Sequence, residues 1–153
     1  DYDHHKLYGE CVWEELCNFN LEKLLKKNIN KIGVIFNLDP HYKGGSHWVS
    51  LFIDVKSKMI YYFDSVGSKI PKQIKKFCNK VKNQGINIGI NFKIDEIHPH
   101  EHQKSDTECG IYSIYFITNM IKNVKLWDKI FKKGKIKDKE MESYRKIFFN
   151  TII

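Results

Sequence analysis

One arginine, Arg145, stands among the 26 basic residues, so the formal charge of +8 is almost wholly lysine. Charge of this generic kind reports solubility and non-specific attraction to polyanions before it reports any reading of nucleic acid. The four cysteines, Cys11, Cys17, Cys78 and Cys109, form no C-x-x-C pair. Such sparse use points to free thiols in a reducing compartment instead of a disulfide scaffold. No apolar run approaches the roughly 18 residues needed to span a bilayer, which argues against a membrane protein. The opening DYDHHKLYGE has neither a basic n-region nor an apolar h-region and does not read as a signal peptide. No repeat, low-complexity tract or Pro/Gly/Ser linker marks an internal boundary. The reading is one domain over residues 1–153, with excision from a longer chain left open.

What is present suits a folded core, since 42% of the chain is apolar and 14% aromatic. ECVWEELCNFNLEKLLKKN spaces its apolar residues at helical intervals, with Asn18 or Asn20 as a break or cap. KIGVIFN reads as a short buried strand. His47 to Val55, a turn at Lys56 to Lys58, and Met59 to Asp64 read as a β-hairpin. Antiparallel pairing brings His47, opening one strand, beside Asp64, closing the other. Pro71 opens a helix with Ile74, Phe77, Cys78 and Val81 on its apolar stripe and lysines on the other faces. INIGINFKI alternates as a strand from Ile86 to Ile94. CGIYSIYFITNMI is apolar nearly all round, as a buried helix is, and DKEMESYRKIFF spaces Met141, Tyr144, Ile147 and Phe148 for a last amphipathic helix.

Cys109 therefore opens a buried helix, where the positive end of the backbone dipole and a nearby imidazolium both favour thiolate. Gly110 removes a side chain where a substrate backbone would approach. His47 supplies a base poised near neutral pH, and Asp64 would orient it. Asp54 competes for that role but stands seven residues from His47 along the same strand, about 20 Å in extended geometry. Gln103, in the loop before the thiol, offers a neutral donor for an oxyanion. Taken singly, each has an ordinary alternative: an inert core thiol, a surface histidine, a turn aspartate, a solvated loop glutamine.

The combined order is more specific. HW, then Asp seventeen residues after the His in YYFDS, then QKSDTECG with Gln six residues before the Cys, resembles the ubiquitin-like-protein-processing cysteine proteases of the Ulp and sentrin-specific type, clan CE. The likeness covers roughly residues 31–121. In compactness it is closest to the viral members, adenain and the asfarvirus polyprotein protease. It implies an α+β papain-like-superfamily fold, a mainly antiparallel sheet packed on the helix that starts at Cys109. It implies Cys109 as nucleophile, His47 as general base and acid, Asp64 as orienter and Gln103 as oxyanion donor. Trp48 would lie over a narrow channel that admits a Gly-Gly end, with Gly110 beside it. The implied function is a cysteine endopeptidase acting after Gly-rich sites of a viral polyprotein or a ubiquitin-like modifier. No cofactor is required, with DNA or a peptide as an activator on the pattern of adenain. A monomer is implied, in host cytoplasm or nucleus or packaged in a virion, with weak nucleic-acid binding through the lysine face.

Departures are also visible. Glu108 stands where the family usually has Asp, with Asp106 a candidate helix cap. Only 46 residues precede His47, and Trp13 has no secure match to the upstream channel tryptophan of the cellular members. The alternatives are a deubiquitinase or acetyltransferase of bacterial-effector type, or a binding module without catalysis. The module would use the Lys72 to Lys82 helix for nucleic acid, or His98, His100 and His102 of HPHEH for metal, the latter disfavoured by Pro99 and the lack of a nearby fourth ligand other than Cys109.

Overall fold

The structure, a computed structural model, describes residues 6–7, 10–11, 13–39 and 42–149, the first four as backbone only. Lys6–Leu7 (β1) and Glu10–Cys11 (β2) form a small antiparallel ribbon. Two short helices follow, Glu14–Cys17 (α1) and Leu21–Lys26 (α2). Asn20 separates them because its side chain accepts the Lys23 N–H at 2.9 Å, an N-cap. α1 buries none of its own residues, and Cys17 at its end is disulfide-bonded. The expectation of free thiols thus holds at Cys78 and Cys109 and is corrected at Cys17. The covalent tie adds to the packing of Leu16 on the core and to the bond that Lys80 Nζ donates to the Cys17 carbonyl at 2.8 Å.

The main sheet runs in the order β3–β4–β5–β6, with Lys31–Asn37 (β3), Trp48–Asp54 (β4), Met59–Phe63 (β5) and Lys93–Glu96 (β6). Its first two pairings are antiparallel and the last, β5 with β6, is parallel. β3 lies at an edge and, apart from the buried Phe36, alternates between exposed and half-buried positions, so it is less buried than its apolar run suggests. The parallel partner explains the helix between β5 and β6, since a parallel pair needs a crossover. That helix is Lys72–Asn87 (α3), which follows Pro71 and buries Ile74, Cys78, Val81 and Gly85.

The strand read from Ile86 to Ile94 is corrected here. α3 continues to Asn87 and stops at Gly89, whose φ is 78°. Ile90 N–H bonds the Gly85 carbonyl at 2.8 Å and Gly89 N–H the Ile86 carbonyl at 3.1 Å, the paired bonds of a Schellman stop. Ile88, Ile90 and Phe92 then pack as loop residues, and only the last part of the alternating run joins the sheet.

Alternation along β4 and β5 divides the core between the sheet's two faces. Val49, Leu51, Ile53, Ile60 and Tyr62 face α2 and α3. Phe52, Tyr61 and Phe63 face Cys109–Lys122 (α4), a π-helical turn at Trp127–Lys132, and Asp138–Phe148 (α5). Sequence periodicity did not single out the π-helical turn. It is anchored to β6, where Trp127 Nε1 donates to Asp95 Oδ2 at 2.7 Å and Lys132 Nζ to Asp95 Oδ1 at 2.9 Å. On α5, Met141 is buried as its spacing predicts, whereas Ile147 is 67% exposed.

Candidate active site

The β4–β5 hairpin delivers the first pair. Its register sets Ser50 opposite Phe63, so the residues just beyond each strand converge. His47 Nε2 reaches Asp64 Oδ1 at 2.7 Å. The His47 carbonyl accepts the Leu38 N–H at 2.9 Å, pinning the residue to the sheet edge. Asp64 is 1% exposed, and its Oδ1 also accepts the Val66 N–H at 3.0 Å. Asp54, the competing carboxylate, serves its own turn instead, accepting the Ser57 N–H at 3.1 Å.

α4 delivers the thiol. Cys109 is its first residue and hydrogen-bonds the His47 side chain. Nε2 is taken by Asp64, which leaves Nδ1 available to a second partner. Burial pushes the Cys109 thiol up, but His47 together with the Trp48 and Gly110 backbone N–H groups outweighs it, and its pKa falls below the ordinary value. Burial likewise pushes His47 down, and the Asp64 and Cys109 partners overturn this, raising its pKa to about 9. Both shifts favour a thiolate–imidazolium pair. The helix start carries no side-chain cap, so Asp106, which is exposed, does not fill that role.

Glu108, 5% exposed, is held by Arg145 of α5 at 3.0 and 3.1 Å. Asp138, at the start of the same helix, accepts the Ser105 N–H at 3.0 Å, the Lys104 N–H at 3.1 Å and the Tyr112 hydroxyl at 2.9 Å. α5 thus clamps the loop that leads to the thiol. Gln103 lies in that loop, 2% exposed. The Ser65 carbonyl accepts both the His102 and the Gln103 N–H at 2.8 Å, so the loop is stitched to the residue that follows Asp64. Gly67 makes this approach feasible. Its φ is 72°, and a Cβ there would sit 2.9 Å from the His100 backbone.

The His100 and His102 rings of HPHEH meet edge to face at 4.7 Å, but among the described residues the three histidines join no metal-ligand cluster. His98 Nδ1 bonds the Gly67 carbonyl, His100 Nε2 that of Gly134, and His102 Nε2 that of Phe131. Burial holds the His102 pKa down to about 4. This neutral ring also accepts the Ile136 N–H at Nδ1, joining the loop to the chain after the π-helical turn.

Two clefts meet at Trp48. The smaller, about 560 Å³, holds Cys109 and Gly110 with Ile35, Ile114, Arg145 and Phe149. The larger, about 790 Å³, runs over β3 to Trp13, Phe19 and Leu24. Trp48 is 42% exposed. A Cβ built on Gly110 would lie 3.9 Å from its indole Cδ1, ordinary contact distance, so glycine leaves the indole edge and the helix start close together at the cleft.

The chain matches the Ulp1 protease family, C-terminal catalytic domain, over residues 18–153. It belongs to that family. It is 35% identical to a protein of Acanthamoeba polyphaga mimivirus named as a thiol protease, over 98% of this chain and 51% of that protein. It is 32% identical to a SUMO-1 cysteine protease of African swine fever virus, over 83% of this chain and 46% of the relative. The chain therefore spans about half the length of these relatives. The crystal structure of the African swine fever virus protease superposes with a TM-score of 0.70 at 32% identity, covering 80% of this chain and 45% of that one. A Chlamydia trachomatis effector bound to ubiquitin shares the fold at TM-score 0.57 and 16% identity, covering 84% of this chain and 64% of that one. The α+β family fold that the resemblance implied is the one observed.

Ser65, Asp138 and Arg145 carry no motif of their own and were not singled out by sequence as parts of the site, and Glu108 was noted only as a departure from the usual Asp. Ser65 adjoins Asp64 and could have been found as its neighbour. Asp138 shows only as an acid at a helix start.

Proposed function

We propose that the chain is the catalytic domain of a cysteine endopeptidase that cleaves after Gly-Gly-like sites. The observation that carries this reading is His47, bonded to Asp64 at 2.7 Å and to the Cys109 thiol, with the two pKa values displaced toward an ion pair. In the step we assign, the Cys109 thiolate attacks the carbonyl carbon and the carbonyl π electrons move to oxygen. The Gln103 amide and the Cys109 backbone N–H stabilise that oxyanion. Collapse breaks the C–N bond as His47 gives its proton to the leaving amine. Water, deprotonated by His47, then attacks the acyl-enzyme and releases the carboxylate and the Cys109 thiolate.

Substrate would enter between Trp48 and Gly110, where side-chain-free residues suit the gap beside a broad indole. Its class, as we read it, is a Gly-rich site of a viral polyprotein or the tail of a ubiquitin-like modifier. The similarity to viral relatives favours the first. The reaction needs no metal or organic cofactor. A polyanion along the exposed Lys72, Lys75 and Lys76 is the activator this surface would suit, and it would act from the side of the sheet away from α4. The setting we infer is one reducing enough to keep Cys109 a thiol, while the bond at Cys17 persists there.

The test is covalent capture. The protein is incubated with ubiquitin, SUMO and NEDD8 carrying a C-terminal alkyne, and with a short peptide aldehyde ending in Gly-Gly, and adducts are mapped by mass. Peptide capture at Cys109 is expected. Capture of a modifier alone would move the reading to deconjugation. No adduct at Cys109 with any probe would overturn it.

A further inference from the structure

A glutamine serving an oxyanion can be seated in two ways. Its amide oxygen and nitrogen are nearly the same size, and the wrong orientation would turn a lone pair, not an N–H, toward developing negative charge. At Gln103 the orientation is decided by two contacts. Ser65 Oγ donates to Oε1 at 2.6 Å, and Nε2 donates to the Ser105 carbonyl at 2.5 Å. Among the described residues, Ser65 is the donor that Oε1 has. One of the two Nε2 protons is spent on Ser105, and the amide has a second to give.

Ser65 is well placed to hold this arrangement. It is 1% exposed and follows Asp64 directly, and its carbonyl fixes the His102 and Gln103 backbone N–H groups. One residue therefore grips Gln103 at both backbone and side chain. A hydroxyl donating to the amide oxygen also polarises the amide and strengthens its remaining N–H as a donor.

We propose that Ser65 is a positioning residue for oxyanion stabilisation, its hydroxyl locking the Gln103 amide with the free N–H toward the substrate carbonyl. The proposal rests on the reading of Gln103 as oxyanion donor. Ser65 touches no reacting atom and acts through Gln103 alone. It also links the two halves of the machinery, because the segment that holds the His47 partner is the one that sets the amide.

The experiment is a mutant cycle on hydrolysis of a fluorogenic Gly-Gly peptide amide, using Ser65→Ala, Gln103→Ala and the double variant. Alkylation of Cys109 by iodoacetamide is measured in parallel, since that displacement puts no charge on a carbonyl oxygen. Ser65→Ala is expected to lower kcat about 10-fold, part of the roughly 10²–10³-fold that loss of a whole oxyanion donor costs. KM and the alkylation rate should stay within about twofold. In the Gln103→Ala background the Ser65 change should cost nothing more.

An equal loss in that background, or a fall in alkylation matching the fall in kcat, would overturn the proposal, because Ser65 would then be acting on the thiol–imidazole pair. Parental turnover in Ser65→Ala beside a crippled Gln103→Ala would overturn it while leaving the Gln103 reading intact. Parental turnover in Gln103→Ala would remove that reading and the proposal with it. Thermal unfolding checks each variant, and if Ser65→Ala does not fold, Ser65→Gly removes the same hydroxyl and is put through the same cycle.

Discussion

Cys78 and Cys109 lie on helices packed against opposite faces of one sheet. Cys78 sits within α3, fully buried, and burial drives its pKa up to about 12 against weak opposition from Lys75 and Lys82. Burial acts on Cys109 in the same direction, yet there the balance reverses, because the sulfur stands at the start of α4 facing an imidazole and two backbone N–H groups. The two faces differ in the same way as a whole. The α3 face is apolar packing with lysines outside. The α4 face spends buried polar groups, Asp64, Ser65, His102, Gln103 and Glu108, on hydrogen bonds that hold His47 and the loop leading to Cys109. Burial raises a thiol pKa wherever it occurs, and reactivity comes from what the buried donors aim at it.

The sharpest test of that contrast is removal of each sulfur. Cys109→Ala is expected to cut peptide hydrolysis by at least about 10⁴-fold with an unchanged melting temperature. Cys78→Ala should leave kcat unaltered. Measurable turnover near parental in the first variant would erase the distinction.

His47→Ala should lose turnover on the same order and should also slow iodoacetamide alkylation of Cys109 toward the rate of Cys78. The pH profile tests the same pair with a worked sign. His47 has a folded pKa of about 9 against an ordinary 6.5, so it favours the folded state fully below about 6.5 and loses that contribution as pH rises through about 9. Cys109 is depressed, so its contribution is present above the ordinary thiol value and is lost as pH falls through the folded one. Turnover should therefore rise on the acid side as the thiolate forms and fall near pH 9 as the imidazolium is lost. A plateau reaching past pH 10 would exclude the ion pair.

Asp64→Asn should cost about 10²-fold, less than Cys109→Ala, because the imidazole keeps a hydrogen-bond partner while losing its charge support. Asp54→Asn, at the far end of the hairpin, should leave kcat alone. The reverse pattern would reassign the orienting role. The smallest effect is expected on the quiet face: Cys78→Ala should lower stability by about 1 kcal/mol through a small cavity, read by denaturant unfolding.

Much of this arrangement was legible because its parts are local. His47 and Asp64 end two strands of one hairpin, and Cys109 opens an apolar run that can only be a buried helix, so spacing alone brings them into view. The alternation from Ile86 to Ile94 misled for an equally local reason. Period-2 apolar spacing fits a strand and also fits a helix end followed by a packed loop. Gly89, one residue after the cap, was the mark of the stop. The parallel partner of β6 was not legible, since pairing across α3 depends on tertiary packing that no stretch of sequence contains. The covalent tie at Cys17 was hidden for the opposite reason: sparse cysteine usage is a statement about the whole chain, and one pair can depart from it. Ser65, Asp138 and Arg145 were missed because each acts on a loop tens of residues away in the chain.

The order of the site along the chain has a consequence during synthesis. His47 and Asp64 belong to a hairpin that can close early, whereas Cys109 comes last and becomes acidic only when α4 has docked beside them. A nascent or unfolded chain thus carries an ordinary, sluggish thiol and cannot attack its neighbours. The rate at which Cys109 meets an electrophile is in effect a gauge of how much of the domain has finished folding.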